Sequence, residues 1–228
     1  RINTLFEHRV ERVQNVLENE INAHKHVADY IKGVFDARIE VSADEFSVLT
    51  QPSLLHHPDL IAIEWIPRVL DDPSLPISVT NKAHFPIKYV EPYQGNERAL
   101  GFDITQNPTA LKTLKQVIRS GMSLSTGLIH LFQDTQRQRV TSVIYAPVYV
   151  KNLPLETVAS RVKALAGVVA VVFSIEDEKT EALSALSDNQ LRIQIKNNEE
   201  VFYSNFIAAT ANDSVSFVSL YAIKTIAA

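Results

Sequence analysis

The sequence has no cysteine and little glycine, and each shortage excludes a class of protein. The absence of cysteine excludes disulfides, thiolate nucleophiles and cysteine-based zinc sites. It also excludes the disulfide-dense class of secreted domains. Only six glycines occur in 228 residues, without a biased tract, which argues against a disordered or fibrous chain. A composition of 46% apolar and 21% charged residues instead predicts a folded domain with a sizeable core.

Excess positive charge and long apolar runs are missing as well. The formal net charge is −4, so we expect no nucleic-acid partner. The longest apolar run, around residues 167–173, is far shorter than the roughly 20 residues of a membrane-spanning helix, and no signal peptide is recognisable. The only methionine is Met122. We therefore expect a piece of a longer protein whose membrane anchor lies outside it.

The first 40 residues predict one long helix. No proline precedes Pro52, and apolar residues recur over residues 6–35 about every 3.6 positions, the period of a straight α-helix of about 45 Å. This stripe consists of Phe6, Val10, Val13, Leu17, Ile21, His24, Ala28, Ile31 and Phe35. We interpret the helix as a stalk that pairs with a second copy; the alternative is a long core helix.

The residues that follow, 41–150, predict an α+β unit. Ser42 and Glu45 form a capping box before a short helix that should end near Pro52. Asn107 caps a second helix, which should end at Gly121. Strands are predicted at 60–69 and 85–90, and a β-hairpin from 125–133 and 139–150, joined by a turn at 134–138.

After residue 150 the order of elements restarts, which predicts a second, smaller unit over 151–228. Its first helix, 155–166, should end at Gly167. A buried strand at 168–174, a helix at 177–186 and strands at 191–195, 200–205 and 215–223 follow. The predicted class is therefore α+β, with a helix at 1–40 and two units.

Several motifs, in order along the chain, closely resemble the CHASE domain family. They are Ile63–Val69 (IEWIPRV), Phe85–Pro92 (FPIKYVEP) and Gly95–Asp103 (GNERALGFD), with Phe46 to Pro58 upstream and Ala146–Tyr149 downstream. The resemblance covers residues 20–150. It implies an extracellular or periplasmic sensor, flanked by two transmembrane helices and attached to a histidine kinase, diguanylate cyclase or phosphodiesterase, as in the plant cytokinin receptors. The implied fold is a long N-terminal stalk helix followed by two tandem PAS-like units, antiparallel sheets with flanking helices.

The resemblance also implies a ligand site in the membrane-distal unit, 41–150. Asp103 matches an aspartate that hydrogen-bonds the adenine ring in the plant receptors; the alternative is a strand-end aspartate that caps a turn. The segment 120–126 matches a pocket wall, and aromatic residues of the hairpin are candidates for further walls, or else ordinary core. The predicted ligand-binding residues are Asp103, Ser120, Leu124, Ser125, Thr126, Phe132, Tyr145 and Tyr149.

A second set of motif residues is predicted to hold the pocket in shape, namely Glu64, Trp65, Pro67, Arg68, Glu91 and Pro92. Strand alternation places Glu64 and Arg68 on one face of the strand. There they would form either a structural ion pair or polar groups of the pocket. No acid, base and nucleophile converge in the sequence, so we predict no catalysis by this chain.

Four histidines raise the question of a metal. They are His24, His26, His56 and His57, and no carboxylate-flanked zinc motif accompanies them. A phosphate-binding glycine loop is also absent. The sequence therefore predicts neither a metal site nor a cofactor.

Taken together, these patterns predict the periplasmic part of an inner-membrane receptor. We expect a homodimer joined through the N-terminal helix, with an unidentified small-molecule ligand in the distal unit. The alternative is a dimerisation and protein-interaction module of the same receptor that binds no ligand.

Overall fold

An antiparallel sheet with helices on both faces organises the protein in the computed structural model, which describes residues 2–38, 40–74, 82–129, 141–174, 194–197 and 200–204. The helices are α1 (Ile2–Ala37), α2 (Ala43–His56), α3 (Pro108–Ser120) and α4 (Val158–Ala164). The strands are β1 (Leu60–Pro67), β2 (Val69–Leu70), β3 (Ala83–His84), β4 (Tyr89–Glu91), β5 (Leu124–Ile129), β6 (Thr141–Tyr149), β7 (Leu165–Ser174), β8 (Gln194–Asn197) and β9 (Glu200–Ser204). The α+β class is confirmed.

The long N-terminal helix is also confirmed. α1 has 36 residues, which corresponds to about 54 Å. Its C-terminal half is part of the domain core, because Ala28 and Ile31 are fully buried and the ring of Phe35 stacks on Trp65 with centroids 4.3 Å apart. Asp36 accepts a hydrogen bond from the main chain of Tyr149. This half of the predicted stripe therefore faces its own sheet.

Local signals set the ends of α2 and α3 largely as predicted. Glu45 N donates to Ser42 Oγ at 3.3 Å, and the Glu45 carboxylate accepts from Ser42 N at 2.9 Å. Asn107 caps α3, and Gly121 ends it in the left-handed conformation with φ 75°. The predicted end of α2 near Pro52 is wrong, since the helix continues to His56. A proline removes one helical hydrogen bond, but its neighbours on the inner face remain packed.

The sheet has the strand order β4-β1-β7-β6-β5, and its central strand corrects the predicted organisation. The strand predicted at 168–174 was assigned to the second unit, whereas β7 pairs with both β1 and β6. Gly167 does not end a helix either. A Cβ at Gly167 would lie 2.4 Å from the carbonyl oxygen of Ile66, so glycine permits close strand contact. The strand β7, predicted as part of the second unit, therefore belongs to the first sheet.

The two long strand predictions are broken in the structure. The predicted strand 60–69 becomes β1 and the two-residue β2. Of the predicted strand 85–90, only residues 89–90 form a strand, at the start of β4, and Pro86 makes a single bridge with Asp103. Prolines at these breaks cannot donate to a ladder. The predicted hairpin is confirmed in its paired part, because β5 pairs with β6.

A smaller hairpin is described beyond the main sheet, in which Gln194 pairs with Ser204. The elements predicted at 177–186 and 215–223, and the turn at 134–138, lie outside the described residues. A second PAS-like unit therefore stays a prediction.

Each face of the main sheet has its own core. The α3 face, defined by Ala62, Ile66, Tyr145, Val168 and Ala170, packs with α3. The α1 face, defined by Ile63, Trp65, Ile144, Val169 and Val171, packs with α1 and α2. Within the described ranges, no helix is both long and apolar enough to cross a membrane.

Candidate ligand site on the sheet

A buried row of side chains crosses the α3 face of the sheet. Glu64 lies opposite Ala170, and Ala170 lies opposite Tyr145 on the next strand. At the ends of this row, Val90 pairs with Glu64 and Leu124 with Tyr145. Because neighbouring strands are about 4.8 Å apart, the main chains of Glu64 and Tyr145 are separated by about 10 Å. The small side chain of Ala170 lies between them in this row.

Glu64 is an acidic residue in an apolar environment. It is 5% exposed, and burial raises its pKa to about 8, since desolvation disfavours the charged form. Among the described residues, none donates a hydrogen bond to this carboxyl group or forms an ion pair with it. At neutral pH the group is therefore protonated, and it can both donate and accept a hydrogen bond.

Two tyrosines of β6 lie on the same face. Burial, and secondarily the charge of Glu64, raises the pKa of Tyr145, which places the phenol within electrostatic range of the carboxyl group. Burial also raises the pKa of Tyr149. The Tyr149 hydroxyl is buried without a hydrogen-bond partner in the described part of the chain. It lies beside the end of α3, 3.7 Å from where a Cβ of Gly121 would be.

The remaining predicted pocket residues are divided between the two faces. Leu124 is buried opposite Tyr145, and Ser120 is exposed at the end of α3, where it accepts from Met122 N. Ser125 lies opposite Ile144 of the α1 face and shares a hydrogen bond with Ser142 at 2.8 Å.

Thr126 has a role in the sheet itself, because its hydroxyl accepts from Val143 N at 3.1 Å. Phe132 lies outside the described residues. The structure thus brings Leu124, Tyr145 and Tyr149 to one face, while Ser125 lies on the other. The ligand contacts of these residues stay predictions.

Asp103 caps the turn that follows it, which the sequence analysis gave as the alternative to a ligand contact. Its Oδ1 accepts from Thr105 N at 3.0 Å, Thr105 Oγ1 at 2.7 Å and Phe85 N at 3.2 Å. Its Oδ2 accepts from His84 at 2.9 Å. Burial alone would raise the pKa of Asp103, but these hydrogen bonds lower it. Oδ1 is saturated, whereas Oδ2 retains acceptor capacity.

His84 links Asp103 to the preceding loop. Its second ring nitrogen lies 2.9 Å from Asp71 Oδ1. Hydrogen bonds to Asp103 and Asp71 raise the pKa of His84, because both partners favour the imidazolium form. The two carboxylates and the imidazolium ring thus form a chain of charge-assisted hydrogen bonds beside the two-stranded sheet of β2 and β3.

The predicted ion pair between Glu64 and Arg68 does not form. Arg68 instead donates to the carbonyl oxygen of Val162 at 2.6 Å, which connects the end of β1 to α4. Trp65 points to the α1 face, where it contacts Phe35. Pro67 pairs with Gly167.

Glu91 lies in β4 opposite Ile63, and the Glu91–Pro92 peptide bond is cis. Glu91 and Pro92 thus lie in or next to the sheet frame, as do Trp65, Pro67 and Arg68. Glu64 differs from them, because its carboxyl group points into the core of the α3 face. Its signal in the sequence was a single acidic residue at an inward position of an apolar strand.

The histidines considered in the sequence are also separated. His24 and Asp59 are 0% and 4% exposed, and with His57 they form a cluster whose ligand atoms lie within 4.8 Å of one another. His26 and His56 are exposed. Asp59, a carboxylate two residues after His57, belongs to this cluster although no sequence motif indicated it.

These features define an α+β domain in which one sheet face carries buried polar groups. The CHASE domain family model matches residues 40–203, which is more than half of the chain. The chain therefore belongs to the CHASE domain family, as its motifs predicted. CHASE domains are extracellular sensor modules of receptors and are not catalytic. No curated protein matches the chain.

Proposed function

We propose that this CHASE domain binds a small organic ligand on the α3 face of its sheet, in contact with Glu64 and Tyr145. The observation that carries the proposal is the Glu64 carboxyl group, buried with a pKa raised to about 8 and without a described hydrogen-bond partner. Hydrogen bonds to a carboxyl group in an apolar environment are stronger than the same bonds in water. A ligand that supplies such a bond to Glu64 gains this advantage on binding.

The polar groups favour a ligand with nitrogen donors. A protonated amine or a nitrogen heterocycle can pair with an ionised Glu64, and the tyrosine hydroxyls can donate or accept. The walls are apolar, since Leu114, Val117 and Leu124 are all buried on this face. A few polar groups in an apolar wall are typical of small-molecule sites.

Asp103 has a secondary place in this proposal. It remains the contact implied by the resemblance to the plant receptors, through the one oxygen that has acceptor capacity left. Its other hydrogen bonds, from His84, Phe85 and Thr105, also join the end of β3 to the turn that begins at Asp103. Substitution of Asp103 should therefore lower stability as well as binding, whereas Glu64→Gln should weaken binding without destabilising the fold.

The same strands offer a route for the signal. In β6 and β7, Tyr145 and Ala170 face the proposed ligand, while Ile144, Val169 and Val171 pack on the side of α1. A ligand that shifts these strands changes how α1 docks. Coupling between sites in proteins is typically about 1–3 kcal/mol.

We place the domain in the periplasmic part of an inner-membrane receptor with flanking transmembrane helices. Its output would be a histidine kinase of a two-component system or a cyclic-di-GMP enzyme such as a diguanylate cyclase. We also propose a homodimer through α1. Since residues 24–35 of the stripe pack on the sheet, pairing would use the N-terminal half of the helix. Analytical ultracentrifugation of the chain with and without residues 2–20 tests this arrangement.

A ligand screen tests the binding proposal. The purified chain is examined by thermal shift and calorimetry against amines, nucleobases, amino acids and carboxylates. A compound that binds should lose affinity at least about tenfold with Glu64→Gln, a loss of about 1.4 kcal/mol, and should retain it with Glu156→Gln, a change at an exposed loop position.

Two results contradict the proposal. Equal affinity for wild type and Glu64→Gln places the ligand elsewhere. If no compound of any class binds, the result favours the alternative, a dimerisation and protein-interaction module without a ligand.

A further inference from the structure

A second cluster of buried polar groups lies on the α1 face, where α1 passes the turn between α2 and β1. His24 comes from α1, and His57 and Asp59 come from this turn. His24 and Asp59 are almost completely buried. The cluster does not belong to the row around Glu64, because His24 packs on Phe173, a residue of the opposite face, with ring centroids 4.3 Å apart.

The closest contact in this cluster does not have the geometry of a hydrogen bond. His24 Nε2 lies 2.7 Å from Asp59 Oδ2, yet both atoms are buried without a hydrogen-bond partner in the described part of the chain. When two such atoms lie close together but no hydrogen bond joins them, the lone pairs of both can be directed at one bound ion. Buried polar atoms are nearly always satisfied, so the cluster requires an explanation beyond packing.

The three ligand atoms have a spacing that fits a metal ion. They lie within 4.8 Å of one another, whereas donors around a tetrahedral zinc ion at about 2.0–2.1 Å are about 3.4 Å apart. Zinc binding would therefore draw these atoms closer together than the 4.8 Å within which they lie. Two imidazoles and one carboxylate, with water in a fourth position, are an established donor set for zinc.

The surroundings prepare these groups for a cation. The turn is fixed by main-chain hydrogen bonds, from Leu60 N to the carbonyl oxygen of His57 at 3.1 Å and from Ser174 N to that of Asp59 at 3.0 Å. The donors are thus held on a rigid frame.

We infer that His24, His57 and Asp59 form a binding site for a divalent transition-metal ion of the zinc type. The ion would join α1 to the start of β1, next to the end of β7. Its binding would fix the long helix to the sheet. The site is independent of the ligand proposed on the α3 face, so neither inference depends on the other.

Metal titration of the untagged, metal-free chain tests this site, with Zn²⁺ and Co²⁺ as probes. We expect one ion per chain in calorimetry, and a Co²⁺ absorption spectrum of a low-coordinate site. His57→Gln should weaken binding at least about 100-fold, because it removes one of three protein ligands. The matched control is His26→Gln, an exposed histidine two residues from His24 on the same helix.

Zinc X-ray absorption of the wild-type chain needs no variant. It should show two imidazoles per zinc, and this readout applies even if His57→Gln or Asp59→Asn fails to fold. Absence of saturable binding, an equal loss of affinity in His57→Gln and His26→Gln, or a zinc environment without imidazole would each overturn the inference.

Discussion

The substitution Glu64→Gln should change how the stability of the domain depends on pH. In the folded chain the pKa of this carboxyl group is raised from 4.5 to about 8 by burial. The folded protein therefore holds a proton that the unfolded chain releases above about pH 4.5. Because the unfolded state then binds fewer protons, stability falls as pH rises from about 4.5 to about 8.

The magnitude follows from the shift. Each unit of pKa difference corresponds to about 1.4 kcal/mol, so the loss between about pH 5 and pH 8 is about 3–4 kcal/mol for this one residue. Glutamine has a similar shape and does not titrate. The variant should therefore gain stability relative to wild type by this amount as the pH is raised, while the two proteins differ little near pH 5.

Urea unfolding at several pH values measures this difference directly. The unfolding free energies of wild type and Glu64→Gln are compared at each pH, so that contributions of other titrating groups cancel. Glu156→Gln, at an exposed position, serves as a control and should parallel wild type. A difference in unfolding free energy between wild type and Glu64→Gln that stays constant from about pH 5 to pH 8 would contradict this prediction. It would show that the pKa of Glu64 is not raised in the folded chain.

Three further predictions concern the ligand, the sheet and the long helix. A cationic ligand must ionise Glu64, so the affinity of the ligand should rise about tenfold per pH unit up to about pH 8. Calorimetry in buffers of different ionisation enthalpy should detect about one proton released on binding, and absence of this release would contradict an ion pair between the ligand and Glu64. Gly167→Ala should lower the free energy of unfolding by about 3 kcal/mol, measured by thermal unfolding, because its Cβ would overlap the neighbouring strand. Gly33→Ala, in open space on a helix, should raise it by up to about 1 kcal/mol. Equal effects of the two substitutions would contradict the close contact of Gly167 with β1. Phe35→Ala, which removes the stack on Trp65, should cost about 3–5 kcal/mol and speed hydrogen exchange in the C-terminal half of α1; unchanged exchange there would argue against docking of the helix.

Local signals in the sequence were sufficient for much of the fold. The capping box at Ser42 and the cap at Asn107 depend on residues within one helical turn, and both were predicted correctly. The position of β7 depends on pairing with β1, about 100 residues earlier, and no local pattern encodes it. Gly167 shows the difficulty, because a glycine after a helical stretch resembles a cap, and only the neighbouring strand reveals its packing role.

The candidate site was predictable to a smaller extent. Tyr145 and Leu124 were named as pocket residues and do share one face, since strand alternation constrains them. Ser125 was grouped with them because of its place in the sequence, but it directly follows Leu124 in β5, so ordinary strand alternation places it opposite Ile144 on the other face. Asp103 had two plausible tasks, and the choice depends on donors from His84 and Phe85 that are distant in sequence.

The metal cluster was missed for a related reason. His24 and Asp59 are 35 positions apart, and a search for spaced zinc motifs considers ligands near one another in sequence. Only the docking of α1 on the sheet brings them together.

A crystal structure of the chain with a compound identified by the calorimetric screen would locate the ligand proposed on the α3 face at Glu64. We expect density between Ala170 and α3, with a nitrogen atom of the ligand within hydrogen-bond distance of the Glu64 carboxylate and a contact to Tyr145. A ligand bound away from both residues, with the Glu64 carboxyl group still unpartnered, would contradict this expectation.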